Sequence, residues 1–149
     1  MGRVDLKRMT DLCAAIRRVV LELEDAAVLN NRGSGEVSAA YVRSILRARR
    51  HRGAYFDERL FADPAWDMML ELLAARLECR SVSVSSLCLA SGVPQTTALR
   101  WIGVLVASDI VVRRQDPADG RRVLVGLSDH AAMRLQCCLS DTEAARSGG

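Results

Sequence analysis

The first thirty residues carry the apolar pattern of one long helix. No glycine or proline interrupts the stretch from Val4 to about Asn30. Its apolar positions alternate in steps of three and four residues, the a/d seam of a coiled coil over three heptads. We expect this helix to form a dimer interface, although the same seam could pack inside its own subunit. The predicted dimerisation residues are Leu6, Met9, Cys13, Ile16, Val20 and Leu23.

A second helix is predicted from Ser38 to Arg52, after the break at residues 30–35. Its apolar face consists of Val42, Ile45 and Leu46. Its end is basic, from Arg47 to Arg52, and Gly53 is a suitable C′ residue. This cluster is either a well-terminated, solvated helix end or an auxiliary phosphate-binding patch.

The third predicted helix begins at Asp63-Pro64, with the aspartate as N-cap and the proline at the first helical position. Before it, the connector from Tyr55 to Phe61 contains three of the six aromatic residues, and we expect it to pack as a satellite core. The buried face of the helix is predicted to comprise Trp66, Met69, Leu70, Leu73 and Leu77.

Two short helices are predicted next, joined by a tight turn. The first runs from Ser83, a good N-cap, to Ser91, and Gly92 permits a left-handed turn. Pro94 is suited to the first turn of the second helix. The buried stripe of that helix is predicted to be Ala98, Trp101, Ile102 and Leu105. The opposite face lacks acidic residues and comprises Gln95, Thr96, Leu99, Arg100 and Gly103, with Thr97 at the margin.

A β-hairpin with basic arms follows. Its strands are predicted at residues 110–114 and 121–127, around an Asp-Pro…Gly turn. Ser81-Val82 is predicted to add a minor strand. Ser128 then caps the last helix, whose aligned apolar positions are Ala131, Leu135, Cys138 and Leu139. The order helix, turn, helix, basic hairpin is typical of a winged helix-turn-helix. Four arginines surround the hairpin: Arg113, Arg114, Arg121 and Arg122.

The composition is that of an ordinary globular protein and does not by itself indicate a function. The chain has 149 residues, 50% hydrophobic and 26% charged, which is an ordinary globular balance. A net charge of +3 is too small to indicate a nucleic-acid partner by itself. Any such prediction must rest on where the positive charges lie along the chain. Five cysteines without a Cys-x-x-Cys pair indicate neither a disulfide framework nor a metal site. No signal peptide or membrane span is predicted, so we expect a cytoplasmic location.

The segment from about residue 64 to 139 resembles the DNA-binding core of MarR-type winged-helix regulators. The resemblance rests on Val93 to Arg100 in the second short helix and on Asp116 to Ser128 in the hairpin. Ser128 and Ala131 stand where the family often has threonine and glycine. The family's wing motif is an acid, any residue and an arginine, matched by Asp119-Gly120-Arg121. The resemblance implies that Arg121 reaches the minor groove, that Asp119 orients it, and that terminal helices form a dimer.

Two other functions, redox sensing and catalysis, are considered because the chain contains cysteine and histidine residues. Some MarR-type regulators sense oxidants through a cysteine in the first helix, so Cys13 could be a redox sensor, although its apolar seam favours simple packing. The residues that enzymes use do not form a catalytic constellation: His51 lies among arginines, and His130 lies in the first turn of a helix. We therefore expect no catalytic residues and no cofactor.

The sequence thus predicts a mainly α (α+β) fold, a winged helix-turn-helix with a two-stranded wing and an N-terminal helical dimerisation extension. The expected divisions are residues 1–53 for dimerisation, 54–143 for DNA binding and 144–149 as a flexible tail. The expected function is a homodimeric transcriptional regulator that binds double-stranded DNA. A small-molecule effector of unidentified chemistry is a further candidate ligand. The alternative is a winged-helix module for protein–protein interaction. The predicted DNA-binding residues are Gln95, Thr96, Thr97, Arg100, Arg113, Arg114, Arg121 and Arg122.

Overall fold

The computed structural model describes residues 15–16, 18–19 and 36–147. The chain divides into two compact units, residues 1–35 and 36–149. In the first unit the described positions are helical and exposed, Ile16 and Val19 being 54% and 53% exposed. The other predicted seam residues lie outside the described residues, as does the candidate redox sensor Cys13. The dimerisation seam therefore stays a prediction.

Helix α1 spans Ala39–His51 and agrees with the predicted second helix. The Ser38 hydroxyl caps it by accepting a hydrogen bond from the Tyr41 N–H at 3.2 Å. Val42 and Leu46 are buried, and the helix packs against the next one in the same core. The predicted domain boundary at residue 53 would separate α1 from that core, whereas the two compact units divide between residues 35 and 36.

The connector after α1 differs from its prediction. It contains two short 3-10 helices, Arg52–Ala54 and Glu58–Phe61. Gly53 is not a left-handed C′ residue; a Cβ built on it would lie 2.5 Å from Oε1 of Glu58, so a larger residue there would require the flexible Glu58 side chain to move. The predicted satellite core is wrong, because its three aromatic residues are exposed: Tyr55 (72%), Phe56 (61%) and Phe61 (44%).

Helix α2 spans Pro64–Leu77 and is the central helix of the second unit. Asp63 caps it as predicted, accepting a hydrogen bond from the Trp66 N–H at 3.2 Å. The buried face predicted for α2 is too narrow. The helix packs against other helices on several sides and against the sheet, so more of its circumference is buried than one stripe. Trp66, Met69 and Leu77 are only partly buried. The fully covered positions are Met68, Leu70, Leu72, Leu73, Ala74 and Ala75.

The sheet is antiparallel with strand order β1-β3-β2. Strand β1 is Val82–Ser83, β2 is Val111–Gln115 and β3 is Val123–Leu127. The register pairs Val111 with Leu127 at one end of the hairpin and Gln115 with Val123 at the other. The predicted minor strand is confirmed, one residue later than expected.

The last helix, α5, spans Asp129–Ser147. The Ser128 hydroxyl caps it by accepting from the Ala131 N–H at 3.1 Å. Ala131, Leu135 and Leu139 are buried as predicted. Cys138 is exposed, contrary to the prediction, because it lies at the edge of the buried face that Ala131, Ala132, Leu135 and Leu139 form. Within the described residues, no helix is long and apolar enough to cross a membrane.

Candidate nucleic-acid interface

The helix-turn-helix comprises α3, Val84–Ala90, and α4, Gln95–Ala107. The Ser83 hydroxyl caps α3 by accepting from the Ser86 N–H at 3.1 Å. A hydrogen bond and a left-handed residue define the turn: the buried Ser91 hydroxyl donates to the Cys88 carbonyl at 2.6 Å, and Gly92 adopts φ +69°. That φ is the left-handed conformation that the sequence predicted for the glycine. Pro94 is the N-cap of α4 and not its first helical residue, one position from the prediction.

Helix α4 presents one buried and one exposed face. Ala98, Ile102 and Leu105 are buried. Trp101 was predicted to join them but is 37% exposed. It lies roughly 60° around the helix from Ala98, at the edge of the stripe, where the core does not cover its large ring. The predicted outward residues are all exposed, with Thr97 half-buried: Gln95, Thr96, Leu99, Arg100 and Gly103.

The Arg100 side chain is not neutralised within the part of the chain that the structure describes. No carboxylate there lies within ion-pair distance of its guanidinium, in contrast to several other arginines. Its five N–H donors therefore face solvent, on a helix whose first turn is fixed by the turn at Gly92. This geometry leaves Arg100 available to contact an external acceptor.

The wing turn is held by aspartate side chains that accept backbone hydrogen bonds. Asp116 accepts from the Ala118 N–H at 2.9 Å, and Asp119 accepts from the Arg121 N–H at 3.0 Å. The Gln115 amide also donates to the Gly120 carbonyl at 2.9 Å. The resemblance implied that Asp119 orients Arg121. In the structure it holds the backbone of Arg121, and no contact to the guanidinium is formed.

All four wing arginines are exposed, but they are not equivalent. Arg122 lies 3.8 Å from the Asp116 carboxylate, whereas Arg121 has no carboxylate partner among the described residues. Arg113 is opposite Val125 and Arg114 is opposite Leu124. Because successive residues of a strand point to opposite faces, Arg113 and Arg114 project from opposite faces of the wing.

A cluster of ion pairs joins α1 to the end of α2, and the sequence patterns did not reveal it. Arg43 donates to Glu71 at 2.8 Å and to Glu78 at 2.8 and 2.9 Å. Arg80 also donates to Glu78 at 2.8 Å. Hydrogen bonds from Arg43 and Arg80 lower the pKa of Glu78 to about 2. The partners are up to 35 residues apart, so only the packing of α1 on α2 brings them together.

Other candidate chemistry is limited within the described residues. No group of three or more potential metal ligands occurs there. Cys88 is buried, and the cost of desolvating a thiolate raises the pKa of its thiol. Such a thiol is a poor nucleophile at neutral pH.

The second unit has the winged-helix arrangement expected from the resemblance to MarR-type regulators. No protein-family model and no curated protein sequence matches the chain. The chain is similar to a probable transcriptional regulator from Pseudomonas aeruginosa, with 25% identity over 69% of this chain and 78% of that one (TM-score 0.42). The MepR–DNA complex of S. aureus is 15% identical, over 71% of this chain and 86% of that one (TM-score 0.46). RV1404 from Mycobacterium tuberculosis is 17% identical, over 98% of this chain and 80% of that one (TM-score 0.45).

Proposed function

We propose that this protein is a homodimeric transcriptional regulator of the MarR type that binds double-stranded DNA sequence-specifically. Helix α4 enters the major groove, and the wing contacts the backbone or the minor groove. Each chain contributes one such unit, and the N-terminal helix joins two chains.

The outward face of α4 is the observation that carries this proposal. Gln95, Thr96 and Arg100 are exposed there, and the face contains no acid. Their side chains match the chemistry of base edges: arginine pairs with N7 and O6 of guanine, glutamine pairs with adenine, and threonine contacts a base edge or a thymine methyl group. A hydrogen-bonded turn and Pro94, whose φ is restricted by its ring, precede the helix and limit the conformations of its start.

The wing supplies the second component of the interface. Arg113, Arg114 and Arg121 have no carboxylate partner among the described residues, so their charges are available to phosphates. The narrow minor groove of A·T-rich DNA concentrates negative potential, which suits an arginine at a hairpin tip such as Arg121. The wing is expected to add affinity, while α4 supplies sequence choice.

Dimerisation by the N-terminal seam completes the proposal. Two copies of α4 related by a two-fold axis would enter successive major grooves, about 34 Å apart. The exposure of Ile16 in the single chain is compatible with an interface, but Val19 is equally exposed and lies off the seam. The seam therefore requires its own test.

One observation favours a protein-binding winged helix instead. Helix α4 also exposes apolar side chains, Leu99 (42%), Trp101 (37%) and Val104 (46%), and a protein partner could cover them. Under that alternative, DNA binding would be weak and independent of sequence.

Selection of bound duplexes from a random pool separates the two functions. The full chain is incubated with the pool, and bound duplexes are recovered and sequenced over several rounds. We expect enrichment of a motif with two-fold symmetry. A pool that stays random, with binding that depends only on salt, would reject sequence-specific recognition and support the protein-binding alternative. Retention of the enriched motif by Trp101→Ala would show that the apolar edge of α4 is not needed for recognition.

A further inference from the structure

Three arginines at the C-terminal end of α1 form a second basic surface, which we name the arginine arm: Arg47, Arg50 and Arg52. All three are exposed. Arg47 and Arg52 have no carboxylate partner among the described residues, and Arg50 is 57% exposed and 3.7 Å from Glu71. Other arginines of α1 are satisfied internally, since Arg43 and Arg49 each donate to carboxylates of α2 or its C-terminus.

Two residues of the arm lie near the helix-turn-helix. Arg50 and Arg52 line a cavity of about 630 Å³ together with Ser91 and Gly92 of the turn, whereas Arg47 does not line it. The acids of this cavity are Glu58, Asp67 and Glu71. That turn leads directly into α4, whose first residue is Gln95. Arg50 and Arg52 are therefore near the turn that precedes Gln95 and Thr96, the predicted base-reading residues.

The connector holds Arg52 in place. The Arg52 guanidinium carbon lies 5.8 Å from the centre of the Phe61 ring, within the range of a cation–π contact. Gly53, the next residue, allows Glu58 to approach the backbone closely. This contact leaves the Arg52 side chain exposed, and no carboxylate among the described residues pairs with it.

We propose that the arginine arm binds phosphates of the duplex beside the bases that α4 contacts. The inference rests on the proposed function, because it requires a duplex seated on the N-terminal end of α4 to extend to this surface. Arg47 and Arg52 are exposed and have no carboxylate partner among the described residues, and such arginines neutralise phosphates and release counterions. The exposed rings of Tyr55 and Phe56 would suit a protein partner instead, and a salt titration distinguishes the two occupants.

The experiment measures the salt dependence of DNA affinity for three variants. Arg47→Ala/Arg52→Ala removes both unpaired charges, and Arg47→Lys/Arg52→Lys keeps them. The matched control is Arg59→Ala, because Arg59 is also exposed on the connector but is neutralised by Asp57 at 2.6 Å. Each protein is titrated with a duplex carrying the selected motif and with a random duplex of the same length, over roughly 50 to 200 mM salt, where phosphate binding changes affinity most visibly.

We expect the alanine pair to flatten the slope of log affinity against log salt by about 1 for each phosphate that the arm neutralises in the wild type, equally on both duplexes. The lysine pair should retain most of the slope, and Arg59→Ala all of it. An unchanged slope in the alanine pair overturns the proposal and leaves the surface to a protein partner. The proposed function and the role of the arm fail separately. If no motif is enriched in the selection but the alanine pair still flattens the slope, sequence-specific recognition is rejected and phosphate binding by the arm is retained.

Discussion

Arg100 is the residue on which the proposed recognition of bases depends most. It is exposed, unpaired among the described residues and placed one turn after Thr96 on the same face of α4. We predict that Arg100→Ala costs about 1–3 kcal/mol at the preferred site and relaxes one position of the motif. The check is to measure this variant against the best site and its single-base variants at one salt concentration. A uniform drop in affinity across all of them would assign Arg100 to a phosphate.

The wing arginines are predicted to raise the affinity for DNA of any sequence, and their individual contributions to that affinity are expected to differ. Arg121→Ala should lower the salt slope by about 1 on every duplex, because one phosphate is then left without its cation. Arg122→Ala should have a smaller effect, since Asp116 at 3.8 Å already offsets part of its charge. Salt titrations of the two variants in parallel test this order. A larger effect for Arg122 would show that its side chain leaves Asp116 on binding.

Glu78 is predicted to make the stability of the protein dependent on pH in the acidic range. Its pKa is about 2 in the folded chain against an ordinary 4.5, so the ionised form is favoured by folding. Its contribution is therefore complete above about pH 4.5 and diminishes as the pH falls towards 2. Glu78→Gln should destabilise the protein at pH 7 and reduce the further destabilisation on acidification. Urea unfolding at pH 7 and pH 3 measures both.

The control for this prediction is Glu143→Gln, on the exposed final turns of α5. It should leave the difference between the two pH values as in the wild type. Equal pH dependence of Glu78→Gln and the wild type would contradict the role given to the ion pairs with Arg43 and Arg80.

At the scale of the elements, local chemistry was enough to predict most boundaries. Ser38, Asp63, Ser83 and Ser128 each accept a backbone hydrogen bond at a helix start, and that interaction is encoded within four residues. The left-handed turn at Gly92 has the same local origin. These features depend on the preferences of a few neighbouring residues, so the sequence alone reveals them.

Burial was harder to predict, because it depends on which elements meet. Trp101 has helical spacing with the core of α4, yet the packed elements leave its ring partly exposed. The prediction for the connector aromatics is wrong for the same reason. The contacts of Arg43 with Glu71 and Glu78 cross 28 and 35 residues, a separation at which periodicity carries no information. The candidate site was more predictable, since its residues are defined by being exposed on a short helix that follows a well-defined turn.

The N-terminal helix is predicted to hold the dimer through one face. Ile16→Asp would bury a charge in the seam, at a cost of several kcal/mol. Ala15→Asp is the matched control, because Ala15 is also helical and exposed but lies at heptad position c, away from the seam. Sedimentation should show a folded monomer for the first variant and a dimer for the second. Dimers from both variants would contradict the seam assignment.

At the scale of the whole molecule, the basic surfaces are distinguished by arginines that lack an acidic partner, and not by a large excess of positive charge. The net charge is only +3, and acids neutralise arginines between α1 and α2. Within residues 36–147, the arginines without carboxylate partners include Arg100 of α4, Arg113, Arg114 and Arg121 of the wing, and Arg47 and Arg52 of the arginine arm, whereas Arg50 and Arg122 each lie near an acid. A weakly basic chain can bind DNA when its unpaired cations are gathered on one surface.

The central claim is that two copies of α4 read bases from one duplex. The most direct measurement is the affinity of the wild-type chain for the selected site and for every single-base variant of it, at one salt concentration. We predict two blocks of sensitive positions related by two-fold symmetry, with centres about 10 base pairs apart and penalties of about 1–3 kcal/mol for each substitution. A flat profile, with every variant bound alike, would contradict it.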